Sequence, residues 1–203
     1  MRIGIFGGTF DPIHIGHLLL AEQAMTYGQL DEVWFIPAGE PPHKRDKQIT
    51  NAHHRFNMLE LALADHPRFK CLRIELERIG PSYTVDTVVQ LGAQHPNVQF
   101  FLLIGADMVK DLPNWYKIKK TLQFVQVIAL GRPGYAIEAL PSFIQDKVHF
   151  IPDAIEMNVS SSWIRKKINQ HQTTRYLIPE RSYQYLKENH LYEPRHTQAS
   201  DEK

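Results

Sequence analysis

Seventeen residues at the amino terminus, MRIGIFGGTFDPIHIGH, constrain the fold more than any other stretch. Ile3, Ile5 and Phe6 make a short apolar run of strand length from Arg2 to Phe6, and Gly7-Gly8 predicts its end. Thr9 to Ile15 reads as a turn-rich loop containing Pro12, and a helical pattern begins near Gly16. A buried strand, two glycines, a polar loop and a fresh helix N-terminus together make an anion site. The glycines let backbone N–H groups approach a ligand closely, and the helix end presents unpaired donors with a partial positive charge. His14 and His17 fall where the loop becomes helix. The expectation is a phosphate site, and the rest of the chain must say whose phosphate.

The pattern that follows alternates strands and helices. A helix from Gly16 to Tyr27, closed by Gly28, leads to a strand over Val33 to Ile36 that Pro37 ends. Short continuous apolar strands suit a parallel sheet covered on both faces. The polar segment AGEPPHKRDKQIT carries Lys44, Arg45 and Lys47, a charge run that is ordinarily only solvated unless an anion lies nearby. Asn51 to Ala64 reads as a helix, with Phe56, Leu59 and Leu63 on one face and Thr50 or Asn51 as cap. His53 and His54 on its first turn point about 100° apart, a poor metal pair that is read as surface. A strand over Phe69 to Leu76 and a helix from Ser82 or Thr84 to Leu91 come next.

Gln99 to Ile104 is the strongest strand signal, and Gly105-Ala106-Asp107 directly after it should lie on the same rim as Gly7 to His17. Phe124 to Leu130 and Val148 to Ile151 complete the strands. The run VSSSWIR then starts a helix, with serines that cap it by default. The same geometry also offers a second anion site, with hydroxyls, free N–H groups and Arg165 one turn in. Pro179 to Leu191 reads as an amphipathic closing helix. The fold class expected is α/β: a Rossmann-like, doubly wound parallel sheet with helices on both faces and a small C-terminal helical part. It forms one domain over residues 1–194, with 158–194 as the helical part and 195–203 as a disordered tail.

Composition enters as a set of exclusions. With 23 basic against 22 acidic residues there is no surplus for bulk binding to nucleic acid or an anionic membrane. No apolar run reaches the ~18–20 residues that span a bilayer. The lone Cys71 cannot form an internal disulfide and is read as a small core residue in a reducing compartment. With a first strand at residue 2 or 3 leaving no room for a leader, the expected location is cytoplasmic.

Spacing also narrows the chemistry. The segment GIFGGT is not G-x-G-x-x-G, and no G-x-x-x-x-G-K-[ST] occurs, so neither a dehydrogenase loop nor a P-loop is present. Imidazoles facing phosphate should have a raised pKa, because the anion favours the charged form. Zinc would need further ligands, and no cysteine or carboxylate set accompanies the histidines.

At this point the motifs resemble a known family. GGTFDPIHIGH resembles the H-x-G-H signature of the nucleotidyltransferase superfamily, and VSSSWIR resembles its C-terminal I-S-S-T-x-I-R motif. The intervening blocks PPHK, RIGPSYTVDT, IGADMVKDLPNWYK and RPGY look like those of bacterial nicotinate-nucleotide adenylyltransferases, in the same order, across essentially residues 3 to 192. The resemblance implies nicotinate mononucleotide + ATP → nicotinate adenine dinucleotide + pyrophosphate, with Mg²⁺ accompanying ATP and no dedicated protein cage. It implies that Gly7, Gly8, Thr9 and Phe10 serve ATP, that His14 and His17 stabilise the attacked α-phosphate, and that Lys44 closes over the triphosphate. Gly105, with Ala106 and Asp107, would sit by the ribose and adenosine, and Ser161, Ser162 and Arg165 would take the β- and γ-phosphates. Trp115 would stack on the pyridine ring while backbone N–H groups at Thr84 and Tyr116 hold its carboxylate. Ser162 stands where the family usually has threonine, which keeps the hydroxyl. Three rivals stay open: the amide substrate nicotinamide mononucleotide, another small adenylyl- or cytidylyltransferase, and a non-catalytic nucleotide sensor. A homo-oligomer is also left open.

Overall fold

The computed structural model describes residues 1–41, 49–130, 140–151 and 153–194. Six strands form one sheet: β1 (Arg2–Gly8), β2 (Glu32–Pro37), β3 (Phe69–Cys71), β4 (Gln99–Gly105), β5 (Val125–Leu130) and β6 (Val148–Phe150). All pair in parallel, in the order β3-β2-β1-β4-β5-β6. This is the Rossmann-like doubly wound sheet expected from the sequence. Its strand order reverses between β1 and β4, and ligands of open α/β sheets bind beyond the carboxyl ends of the strands at such a point. The fold therefore places the loops after β1 and β4 at that crevice.

The helices described are α1 (Ile15–Tyr27), α2 (Ala52–Leu63), α3 (Thr84–Gln94), α4 (Ala106–Val109), α5 (Ile118–Phe124), α6 (Ser142–Gln145), α7 (Ser161–Asn169) and α8 (Glu180–Glu188). Alternation along the strands divides the core in two. Phe6, Val33, Phe35, Phe101, Leu103 and Ile128 face the side covered by α1, α2, α7 and α8. Ile3, Ile5, Trp34, Ile36, Leu102 and Ile104 face the side covered by α3 to α6. Strands buried on both faces need apolar residues at nearly every position, which is why β4 reads as an unbroken run. No helix among the described residues is long and apolar enough to cross a membrane.

Three local expectations are corrected. β1 does not stop at Phe6: Gly7 and Gly8 stay extended because β2 continues beside them, with Gly7 opposite Ile36 and Gly8 opposite Pro37. The strand expected over Phe69 to Leu76 shrinks to Phe69–Cys71: it lies at the sheet edge with β2 as its single neighbour, and that pairing ends at Phe35 opposite Cys71 although β2 itself continues to Pro37. The short helices α4, α5 and α6 are additional. α5 begins after Lys117 in the left-handed region (φ 51°), without a side-chain cap that sequence could announce. The expected tail and the RPGY turn lie outside the described residues.

Candidate active site

The loop between β1 and α1 is folded by its own side chains. Ile13 is fully buried and anchors it in the core. Phe10 takes a left-handed backbone conformation (φ 48°), and its ring turns back over Gly8, where a Cβ would lie 2.9 Å from ring carbon Cζ. Gly8 is therefore required by this close approach. The Phe10 ring is buried, packing edge-on against Phe6 and under the His17 ring at 5.1 Å. Of Phe10, only the backbone is left to meet a ligand.

His14 is the N-cap of α1 and His17 its third residue. The His14 backbone N–H donates to His17 Nδ1 at 3.2 Å, one arm of a capping-box geometry. That bond uses the Nδ1 lone pair, so in neutral His17 the proton resides on Nε2, leaving a donor on the far side of the ring. The two imidazoles stack with centroids 3.6 Å apart. Burial pushes the His14 pKa down to about 4, and its Nδ1 is buried without a hydrogen-bond partner. The raised pKa expected from sequence concerns imidazoles that face a phosphate, whose charge acts against this burial. Burial alone therefore favours the neutral form of His14.

Side chains distant in sequence hold the loop's carbonyl groups from behind. Arg55 Nη1 donates to Thr9 O at 2.8 Å, Arg165 Nη1 to Asp11 O at 2.6 Å, and Ser161 Oγ to Pro12 O at 2.9 Å. These three bonds fix the backbone of the loop from Thr9 to Pro12. Asp11 is itself buried and ties three elements together. Tyr192 Oη donates to its Oδ1 at 2.6 Å, Thr50 N–H reaches Oδ2 at 3.5 Å, and Arg165 Nη1 lies 3.8 Å from Oδ2. Burial beside Asp11 pushes the Tyr192 phenol up, which keeps it a donor. Ser160 supplies the expected helix cap, accepting from Trp163 N–H, while Ser162 Oγ accepts from Arg165 Nη2. The start of α7 and the His14–His17 loop therefore share one edge of the sheet and touch.

Beside the histidines opens a cavity of about 810 Å³, lined by His14, His17, Leu20, Gly105, Asp107 and Met157 among others. Gly16 shapes its mouth: a Cβ there would lie 2.8 Å from Val159 Cγ1 and 3.1 Å from His14 Nδ1. Only glycine lets the segment before α7 close over His14.

A second group forms where α3 begins. Thr84 opens α3, so its N–H has no partner within the helix. Gly39 N–H donates to Ser82 Oγ and Ser82 N–H to Glu40 O, tying this helix start to the segment after β2. The Tyr83 and Tyr116 rings lie 4.6 Å apart, which brings Tyr116 alongside Thr84. Tyr116 is half exposed, whereas Trp115 is partly buried against the α3-to-α6 side of the core.

The chain matches the cytidylyltransferase-like family over residues 5–167. It is 48% identical over 191 residues to a Geobacillus kaustophilus protein described as "Probable nicotinate-nucleotide adenylyltransferase", covering 94% of this chain and 86% of that one. It is 45% identical over 192 residues to the nicotinate-nucleotide adenylyltransferase of Bacillus subtilis, covering 95% of this chain and 98% of the relative. The chain belongs to the nicotinate-nucleotide adenylyltransferases. A similar fold is seen in the Plasmodium falciparum nicotinic acid mononucleotide adenylyltransferase solved with NaAD, with a TM-score of 0.75 and 23% identity over 94% of this chain and 97% of that one.

Of the adenylyltransferase residues singled out in the sequence, His14, His17, Gly105 and Asp107 line one cavity, and Ser161 and Arg165 grip the loop that carries the histidines. Gly7 and Gly8 close β1 beneath that loop, which Thr9 begins. Thr84 and Tyr116 gather separately, and Lys44 lies outside the described residues. Sequence reasoning missed Arg55, Asp11 and Tyr192. Arg55 is 1% exposed and donates to four backbone carbonyls: Thr50 from Nε, Thr9 from Nη1, and Ala38 and Gly39 from Nη2. Burial lowers its pKa and the nearby Asp11 charge opposes that. A signal did exist, because Arg55 lies on the α2 stripe that buries Met58 and Leu59. An arginine on an apolar stripe is costly unless its donors are spoken for. Burial pushes the Cys71 thiol up to about 12, which disfavours the thiolate. Among the described residues no group of three or more His, Cys, Asp or Glu is placed to hold a metal.

Proposed function

We propose that this chain transfers the adenylyl group of ATP to nicotinate mononucleotide, giving nicotinate adenine dinucleotide and pyrophosphate. The observation that carries the proposal is the direct contact between the histidine loop and the start of α7, through Arg165 on Asp11 O and Ser161 on Pro12 O, beside the cavity at the switch point. A triphosphate lying there meets N–H groups of the loop, the stacked imidazoles and the guanidinium together.

A phosphate monoester has a second pKa near 6. The attacking phosphate oxygen of the mononucleotide is therefore already ionised at neutral pH and needs no general base. It forms a bond to the α-phosphorus of ATP as the bond from that phosphorus to the β-bridging oxygen breaks, and pyrophosphate leaves with the electron pair. His17, donating from Nε2, and the loop N–H groups stabilise charge on the α-phosphoryl oxygens, work of positioning and electrostatics. His14 is neutral at rest, and an arriving anion favours its protonation. Arg165 and the hydroxyls of Ser161 and Ser162 attend the leaving phosphates.

Mg²⁺ is read as a companion of ATP. The buried Asp11 is committed to Tyr192, Thr50 and Arg165, so an ion arriving with ATP would take its ligands mainly from phosphate oxygens and water, with Asp107 the carboxylate in the cavity lining. When bound, such an ion neutralises charge on the departing pyrophosphate. Thr84 and Tyr116 offer backbone donors to a pyridine carboxylate, which supports the acid over the amide substrate. The balanced net charge and lone cysteine fit a cytoplasmic enzyme acting on small nucleotides. The test is incubation with ATP, Mg²⁺ and each mononucleotide in turn, with pyrophosphate detection. Release with nicotinate mononucleotide, and markedly slower release with the amide, is expected. Equal rates would end the acid preference, and no release with either would end the assignment.

A further inference from the structure

The segment between β6 and α7 has no regular secondary structure over residues 153–160, yet it forms one wall of the 810 Å³ cavity through Ile155 to Val159. Its two largest apolar side chains do little to fix it, since Ile155 is 67% exposed and Met157 41%. Gln23 of α1 fixes it instead. The Gln23 amide accepts from Ile155 N–H at 2.6 Å and donates to Ile155 O at 3.2 Å. The same Nε2 donates to Leu19 O at 3.2 Å, which holds the side chain against its own helix. One amide thus offers Ile155 both hydrogen bonds that a neighbouring strand would give, and the reciprocal pairing leaves no doubt which end of the amide faces which group. Four residues on, Val159 packs into the space that Gly16 leaves empty. The wall is pinned at both ends, and Glu156, Met157 and Asn158 are presented to the cavity between the pins.

Leu19 and Leu20, on the stretch of α1 between Gly16 and Gln23, line the same cavity. A planar ring would lie against these leucines, with groups of the pinned wall beside its polar edge. Where that wall stands sets the width of the slot and the placement of its donors and acceptors. We propose that Gln23 is the positioning residue that sets nucleobase specificity, acting through Ile155 on the wall formed by Glu156 to Asn158. This rests on the reading that the cavity takes the adenosine of ATP.

The test is steady-state kinetics of the full chain and its Gln23→Ala and Gln23→Glu variants with ATP, GTP and CTP, at saturating nicotinate mononucleotide. Gln23 is only partly buried, at the edge of the cavity, so both variants are expected to melt within a few degrees of the wild type. In Gln23→Ala the KM for ATP should rise about tenfold or more while kcat falls less than threefold, and the ratio of kcat/KM for ATP over CTP should fall about tenfold. The KM for nicotinate mononucleotide should change less than about twofold. Gln23→Glu keeps the acceptor for Ile155 N–H but sets a carboxylate oxygen against Ile155 O, so it should be at least as impaired. An unchanged KM for ATP, or equal losses for all three nucleotides, would overturn the proposal. A wild-type enzyme without turnover on ATP and nicotinate mononucleotide would instead overturn the reading of the site, so the two failures are distinguishable.

Discussion

Replacing Tyr192 with Phe removes one hydroxyl from the back of the phosphate loop and leaves the ring in place. That hydroxyl donates at 2.6 Å to Asp11 Oδ1, and Asp11 is 3% exposed, so water has little room to substitute. A hydrogen bond to a charged group contributes about 1.5–3 kcal/mol, and short charge-assisted ones lie at the strong end. The other contacts of the carboxylate are long, 3.5 Å from Thr50 N and 3.8 Å from Arg165 Nη1, and cannot tighten without moving the loop. We expect a loss of about 2–3 kcal/mol of folding stability, which for a chain of this size lowers Tm by roughly 4–12 °C. Activity should fall as well, because Asp11 O is the carbonyl that Arg165 holds. Urea unfolding followed by circular dichroism, with kcat/KM for ATP measured in parallel, reads both effects. Superimposable unfolding curves for the variant and the wild type would refute the view that the end of the chain braces the phosphate loop.

Arg55→Lys keeps a charge but loses the fork that spans Thr9, Ala38, Gly39 and Thr50, so stability should drop by about 3–5 kcal/mol, the scale of a broken buried charge network. A urea midpoint equal to wild type would remove that role. His14, at about 4 in the folded chain against 6.5 unfolded, leaves the unfolded state binding the extra proton between those values. Its contribution is therefore full above pH 6.5 and lost as pH falls towards 4, by about 3 kcal/mol in all. The slope of stability against pH in that window should flatten in His14→Asn, and an unaltered slope would count against it. Trp115→Ala should raise the KM for nicotinate mononucleotide by about 1–3 kcal/mol in binding, on the scale of base stacking. A folded variant with normal KM would assign the ring to the core alone.

Much of this arrangement is legible in the sequence because it rests on local chemistry. The run from Arg2 to His17 contains its own strand, loop and helix start, and β4 declares itself by its apolar run from Phe100 to Ile104. Parallel order then forces the Gly105 rim next to the histidines. Less legible is whatever depends on partners far along the chain. Nothing near Asp11 foretells a hydroxyl 181 residues away, and nothing near Gln23 foretells the backbone of Ile155, 132 residues on. The Arg55 stripe could have been read, but only as a buried cation in need of acceptors, since carbonyls leave no mark on sequence. The brevity of β3 follows from its place at the sheet edge, a property of the assembled sheet.

A crystal structure with a non-hydrolysable ATP analogue tests the central claim most directly. The phosphates should lie within hydrogen-bonding distance, about 3 Å, of the loop before α1 and of the start of α7 at once, with the base in the cavity beside Leu20 and Met157. A triphosphate bound by one of these segments alone, or away from the His14–His17 stack, would contradict the account.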